Sequence, residues 1–325
     1  MLRVEIVRSG SDLDKLRPVW ESLWSQTPGL TIFQSFIWNR VAASCFSRRE
    51  HPFVVHVENS NGAALLPAAV NCPERQASLL GEKLFDYGDF LQAGGCGPGG
   101  DGGLIDAGWQ GLASLGLDFE LEAIRADSPH YPWWASKIMA PFSASPMVER
   151  FNADDFRRQH ARSARLLRRL ERAGASLHQS SGKNAELLRC IYSRKAEQPS
   201  YPPNIFSDPL RRRFMFAMAQ MRPQDFEIFI LETASALVAA IVTLRDRDVR
   251  RFYTTYFDAA WAAMSPGAAL LFEVTRLSLE DGLTCDYMTG EQPFKLRLAT
   301  GSVPLYRVYV PAIKFAEPPA RLQAA

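Results

Sequence analysis

The chain has 325 residues, 47% hydrophobic and 22% charged, which is the balance of an ordinary soluble globular protein and excludes a disordered or fibrous one. At about 150 residues per domain, that length suits two domains. Lys plus Arg at 37 against Asp plus Glu at 35 leaves a formal net charge of +2, so no DNA partner held by bulk charge is expected and any basic site must be local.

Leu2 to Val7 alternates as a strand, and Ser11 to Ser25 spaces Leu13, Leu16, Trp20 and Leu23 as one face of a helix. Phe33 to Phe46 reads as a second helix, and Phe53 to Glu58 with Ala63 to Val70 reads as a hairpin across Asn59-Ser60-Asn61-Gly62. Gly95, Gly97 and Gly100 satisfy GxGxxG, with Glu120 at dinucleotide-like distance. Seven glycines and a proline between Gly94 and Gly103 make such a match nearly unavoidable, so a surface loop is the better reading. A helix at Ala107 to Leu117 and a strand at Asp118 to Ile124 follow. Trp133 and Trp134 then read as core or domain-interface filling in preference to a ligand platform.

The first domain is expected to close near residue 150, leaving 1–150 and 151–325. The second opens on a helix, Ala153 to Ala173. At 100° per residue Arg158, Arg162, Arg165, Arg169 and Arg172 fall within a wedge of about 80°. Such a stripe suits a solvated exterior, or an anion placed opposite it: a ligand phosphate, an acidic glycan or a tRNA backbone. A strand at Ser176 to Gln179 and helices at Asn184 to Ala196 and Asp208 to Met221 come next, joined by Tyr201-Pro202-Pro203. Phe226 to Glu232 and Ala236 to Leu244 read as buried strands.

The stretch from Tyr253 to Gly301 is where chemistry is expected. An aromatic strand, Arg251 to Asp258, turns at Ser265-Pro266-Gly267 into an apolar helix that Gly282 ends before another strand, Leu283 to Met288. This is a βαβ unit, with parallel neighbouring strands. Ser265 suits the N-cap, Pro266 the first helical position, and Gly267 lets a ligand approach the backbone. Free N–H groups at Gly267, Ala268 and Ala269 would hold a phosphate, or the turn is only a tidy cap.

This stretch resembles the acyl-CoA N-acyltransferases of the GNAT superfamily, and more narrowly the two-domain CelD-like or BioF2-like acetyltransferases. The resemblance rests on Tyr256-Phe257-Asp258, Ser265-Pro266-Gly267 and Gly290-Glu291-Gln292-Pro293-Phe294-Lys295, with further pieces in Phe33-Gln34-Ser35, Leu65-Leu66-Pro67, Leu80-Gly81 and Asp86-Tyr87-Gly88-Asp89. It implies an α/β (α+β) chain: a tandem duplicated GNAT-like fold with mixed sheets flanked by helices, residues 1–150 being a degenerate copy and 151–325 holding the donor site. It implies acetyl-CoA or another acyl-CoA as donor, wedged between the splayed strands Arg251 to Asp258 and Leu283 to Met288. Tyr256, Ser265, Pro266, Gly267, Ala268 and Ala269, with Arg162 and Arg165, would then contact the donor. The acceptor would be a small molecule or glycan: an amino sugar, an amino acid or a precursor of a bacterial exopolysaccharide such as cellulose.

Amine attack on a thioester asks for a base and for a group to protonate the thiolate. Asp258, Asp286 and Glu291 are the base candidates, Glu291 first. Glu291 and Lys295 also stand four apart and could form a helical ion pair. Relatives carry Tyr-Lys where this chain has Phe294-Lys295, so the acid falls to Tyr287, Tyr256 or water, and Glu291, Tyr287 and Lys295 make up the expected catalytic set. Fem-type enzymes, which use aminoacyl-tRNA and also have two GNAT-like copies, are a rival reading. A non-catalytic degenerate module in polysaccharide synthesis is another, supported by Phe294 and the glycine-poor turn.

The five cysteines, Cys45, Cys72, Cys96, Cys190 and Cys285, form no CxxC pair, and no histidine lies near them at zinc-ligand spacing. A reducing cytoplasm and no metal are expected. With charges within the first sixteen residues no signal peptide is expected, and the longest apolar run, Ala234 to Leu244, is too short to span a bilayer.

Overall fold

A computed structural model of the chain describes residues 1–72, 74–81, 84–93, 102–137, 139–160, 164–199 and 204–312. Gly94 to Gly100 with Cys96, Arg162, and the Tyr201-Pro202-Pro203 loop lie outside these residues. The chain forms two compact units, Met1–Phe142 joined by the residues from Leu305, and Ser143–Pro304. This differs from a single cut after residue 150 because the last strand goes with the first unit.

In the first unit the elements are β1 (Arg3–Val7), α1 (Gly10–Gln26), α2 (Phe36–Cys45), β2 (Glu50–Asn59), β3 (Gly62–Asn71), β4 (Gln76–Leu79), β5 (Leu91–Ala93), α3 (Gly102–Ala113), β6 (Phe119–Arg125) and α4 (Tyr131–Ala135). The Ser9 hydroxyl starts α1 by accepting from the Asp12 N–H at 3.1 Å, and Leu13, Leu16, Trp20 and Leu23 are its buried face. Phe33 belongs to a short 3-10 turn, Ile32–Gln34, and the helix proper starts one residue past Ser35, which caps it. The β2–β3 hairpin is tied by Asn59 Oδ1, which accepts from the N–H groups of Asn61 at 2.7 Å and Gly62 at 3.0 Å. Its strand order is β1-β2-β3-β4-β6, with β5 on β3 and residues Leu305 to Val310 of the last strand antiparallel to β6. Trp109 of α3 and Trp134 of α4 pack with Phe119 and Ile124 of β6, so the tryptophan pair serves the core. Asp89 accepts from Trp134 Nε1 at 3.2 Å and from Ser128 Oγ at 2.5 Å, which binds α4 to the strand region.

The second unit runs through β7 (Met139–Val148, entering it at Ser143), α5 (Ala153–Gln159), α6 (Ala164–Arg172), β8 (Ser176–Ser181), α7 (Ala185–Glu197), α8 (Pro209–Met221), β9 (Phe226–Glu232), β10 (Leu237–Asp246), β11 (Val249–Phe257), α9 (Pro266–Glu280), β12 (Thr284–Asp286) and α10 (Pro293–Leu296), and leaves through β13 (Gly301–Val310). Its sheet order is β7-β12-β11-β10-β9-β8, mixed because β11 and β12 are parallel and the other pairs described are antiparallel. Phe156, Leu170 and the buried face of α9 pack on Phe229, Leu231, Ala239, Ile241 and Phe252. The other face of the sheet meets α7, where the Thr254 and Tyr192 hydroxyls lie 3.4 Å apart.

The helix expected over Ala153 to Ala173 is two helices. His160 ends α5, its N–H bonded to the Phe156 carbonyl, and α6 begins at Ala164. Of the stripe's described members, Arg158 belongs to α5 and pairs with Asp155, whereas Arg165, Arg169 and Arg172 are exposed on α6. Among the described residues no helix is long and apolar enough to cross a membrane, and no three His, Cys, Asp or Glu side chains gather as a metal site.

Buried His56 on β2 gives the fold a pH dependence. Burial lowers its pKa below the ordinary 6.5, against the opposing pull of Glu58 and Glu5. The unfolded chain binds that proton more readily, so stability is full above 6.5 and falls as pH drops through the lowered value. Urea unfolding at about pH 7.5 and about pH 5.5 should give a smaller midpoint loss in His56→Leu than in the parent protein.

Candidate active site

Three register pairs, Val249↔Thr284, Arg250↔Cys285 and Arg251↔Asp286, hold β11 and β12 together, after which β12 ends and β11 continues to Phe257. The last pair is also an ion pair. Arg251 donates to Asp286 and, at 3.0 Å, to Asp246, with side-chain exposures of 7% for Arg251 and 3% for Asp286. Beyond it the strands part. At the same level β11 carries a bulge: Val242 faces Thr254 while Thr243 faces Phe252, which leaves Tyr253 as the extra residue. One extra residue flips the faces of a strand. Phe252 therefore stacks edge-on with Tyr287 beside α9, whereas Thr254 turns to α7.

Beyond the parting lies a cavity of about 280 Å³, lined by Thr255, Tyr256 and Phe257 of β11, by Ser265 to Ala268 at the start of α9, and by Phe294 of α10. Ser265 adopts the left-handed conformation, φ 53° and ψ 51°, and its hydroxyl caps nothing. Side-chain capping by Ser265, the sequence expectation, is thereby corrected: the left-handed backbone turns the hydroxyl away from the N–H groups it would reach from an extended one. The Ser265 carbonyl takes the Ala269 N–H at 3.1 Å, so Ala269 is not free either. Gly267 and Ala268 have no N–H partner among the described residues. Two open amides at the positive end of a fifteen-residue helix can hold an anion.

The expected base candidates stand elsewhere. Asp258 caps the turn Ala259–Met264 by accepting from the Ala260 N–H at 2.9 Å. Asp286 is saturated by Arg251, by Ser145 Oγ at 2.8 Å and by the Met288 N–H at 2.8 Å. Glu291 is exposed and not part of the cavity lining. Lys295 donates to the Thr289 carbonyl at 2.8 Å and the Met288 carbonyl at 3.4 Å, which steadies the turn after β12 where Met288 has φ 64°. Tyr287 is buried against α9, with its hydroxyl 2.8 Å from Thr275 Oγ1, and burial raises its pKa well above 10. Tyr256 does line the cavity. Of the arginines expected near a donor, Arg165 is exposed on α6 and Arg162 lies outside the described residues.

Sequence reasoning missed the end of α7. Gln198, just past it, donates from Nε2 to the Phe257 carbonyl at 2.8 Å and accepts at Oε1 from Lys195 Nζ at 3.3 Å. Arg194 has its pKa raised, first by the Tyr256 side chain and then by the Cys190 thiol, which places it near both. Both cations are half-buried, and burial lowers the Lys195 pKa. The only signal in sequence was a pair of basic residues in a helix's last turn, where they are common for dipole reasons alone.

Residues 155–296 match the acetyltransferase (GNAT) domain family, a span that takes in the parted strands, the cavity and both open amides. That span is a GNAT domain. Solved structures agree on the fold. The chain is similar to a conserved protein of unknown function from Bacteroides thetaiotaomicron VPI-5482, with TM-score 0.59 and 10% identity over 95% of this chain and 100% of that one. It is similar to FemX, with TM-score 0.59 and 8% identity over 93% and 96%. It is also similar to the tandem GNAT protein of the clavulanic acid biosynthesis pathway, with TM-score 0.52 and 12% identity over 96% and 99%. None of the curated proteins matches the chain significantly. The GNAT fold accounts for both the mixed sheets and the pairing of two units in one chain.

Removing one partner from the buried pair at the base of the GNAT strand parting leaves a carboxylate desolvated and uncompensated. Arg251→Met should cost about 3 kcal/mol or more of unfolding free energy, read by urea denaturation, whereas loss of the exposed Arg150–Asp248 pair should cost about 1 kcal/mol or less.

Proposed function

We propose that the second unit transfers an acyl group from an acyl-CoA, acetyl-CoA in the simplest case, to the amine of a small molecule or glycan such as an amino sugar, an amino acid or an exopolysaccharide precursor. The observation that carries this reading is the conjunction at the end of β11: strands that part, two helix-start amides without partners among the described residues, and a cavity between them. The amides suit the diphosphate of CoA, and the mostly apolar cavity wall suits a pantetheine arm. Tyr256, as a phenol on that wall, is placed to protonate the departing thiolate, a role that the burial of Tyr287 argues against for that residue. A base role for Glu291 would run through water, since its side chain stands in solvent. The kinship to the CelD-like group, and with it work in polysaccharide synthesis, rests on the sequence motifs.

Calorimetric titration with acetyl-CoA should give saturable binding, and Gly267→Asp, which sets a negative charge before the open amides, should weaken it by about tenfold or more. No heat at millimolar ligand would overturn the reading.

One observation favours the Fem-type alternative. Arg165, Arg168, Arg169 and Arg172 are exposed on α6 and, among the described residues, have no carboxylate partner. If this face meets an aminoacyl-tRNA, Arg165→Glu with Arg169→Glu abolishes RNA retention in a filter assay; unchanged retention, or none in the parent, removes that alternative.

A further inference from the structure

Arg194 and Lys195 sit side by side in the chain at the end of α7, and both reach toward the last two residues of β11. Arg194 approaches the hydroxyl of Tyr256, and Lys195 reaches Phe257 through Gln198, whose amide bridges Lys195 Nζ at 3.3 Å and the Phe257 carbonyl at 2.8 Å. Tyr256 and Phe257 are both walls of the cavity. Among the described residues neither cation has a carboxylate partner. Lys195 has three donors and one weak acceptor, and Arg194 has five donors facing a phenol and a thiol.

The two fully buried arginines of the unit are treated differently. Arg250 is bonded to Glu227 at 2.7 Å and to Asp281 at 3.3 Å, and Arg251 to Asp246 and Asp286. Two positive charges at successive positions that have each lost part of their water without gaining a carboxylate are a standing cost that an anion would relieve. Nothing among the described residues supplies one.

We infer that Arg194 and Lys195 form an anion subsite beside the cavity, and that the amine acceptor carries a carboxylate or phosphate that docks there. This rests on the acyl-transfer reading for the word acceptor, but the subsite itself does not. It stands on the α7-facing side of β11, the side to which the bulge turns Thr254 and Tyr256, whereas the open amides of Gly267 and Ala268 belong to α9. Two anions, one on each substrate, would thus be held by separate groups. Guanidinium offers bidentate hydrogen bonds to either oxyanion and ammonium adds a point charge.

The test is calorimetric binding of matched amines to the full chain, with and without CoA: phosphoethanolamine against ethanolamine, and glycine against glycinamide. At least one anionic member should bind about tenfold tighter or more than its neutral partner. Arg194→Gln and Lys195→Met should each erase most of that preference, and Lys195→Arg should keep it, while CoA affinity stays unchanged in all three. Equal binding within both pairs overturns the subsite, as does a preference that survives both neutralising variants. If the variants lose CoA affinity instead, the anion belongs to the donor and the acceptor assignment fails. A preserved preference in a protein that does not bind CoA would sustain the subsite and sink only the acyl-CoA reading.

Discussion

The ion pair between Arg251 and Asp286 decides the geometry of the second unit. It is the last cross-strand contact between β11 and β12, almost wholly buried, and the strands separate immediately after it. Parallel strands that continue in register close their own backbone hydrogen bonds and leave no room for a ligand. Here β12 stops at Asp286, and the chain turns through Met288 in a left-handed conformation that Lys295 steadies from below. The bulge at Tyr253 completes the change by re-aiming the free half of β11. A pinned base and an open end are two parts of one device.

The cations that reach β11 or lie on it near the parting fall into two classes. Arg250 and Arg251, beneath the parting, are each answered by two carboxylates. Arg194 and Lys195, above it, are answered by none among the described residues, and the arginines of α6 lie exposed at the surface. Compensation thus tracks position along β11: structural charges are neutralised inside the fold, and charges facing the cavity region are left for what enters it.

Much of this was legible in the sequence. Proline at the first helical position and glycine after it marked the start of α9, because few other residues tolerate an entry with missing donors and close backbone approach. Strands β9, β10 and β11 announced themselves through branched and aromatic residues. Strands β7 and β13 did not, since Pro141, Pro146 and Pro304 interrupt them and a proline lowers the claim of any run to be a strand. The bulge at Tyr253 has no local signature: aromatic and β-branched residues run straight through it, and only pairing with β10 exposes the extra residue. The meeting of Arg194 with Tyr256 and of Gln198 with Phe257 joins residues about sixty apart, a tertiary fact beyond the reach of periodicity. Tyr287 misled for the opposite reason, because its place in a motif-rich stretch said nothing of the Thr275 hydroxyl that holds it in the core.

The absence of a carboxylate from the cavity wall, among the described residues, bears on how an amine would be made nucleophilic. An ammonium must lose its proton before it attacks, and a carboxylate beside it would raise its pKa while accepting the proton. Cations act the other way. A positively charged surrounding disfavours the ammonium and lowers its pKa, so Arg194 and Lys195 would favour the free amine in the acceptor whose anion they hold. Anchoring and activation then come from the same two charges: attraction to one end of the acceptor offsets repulsion at the other, and the proton can leave to water without a dedicated base.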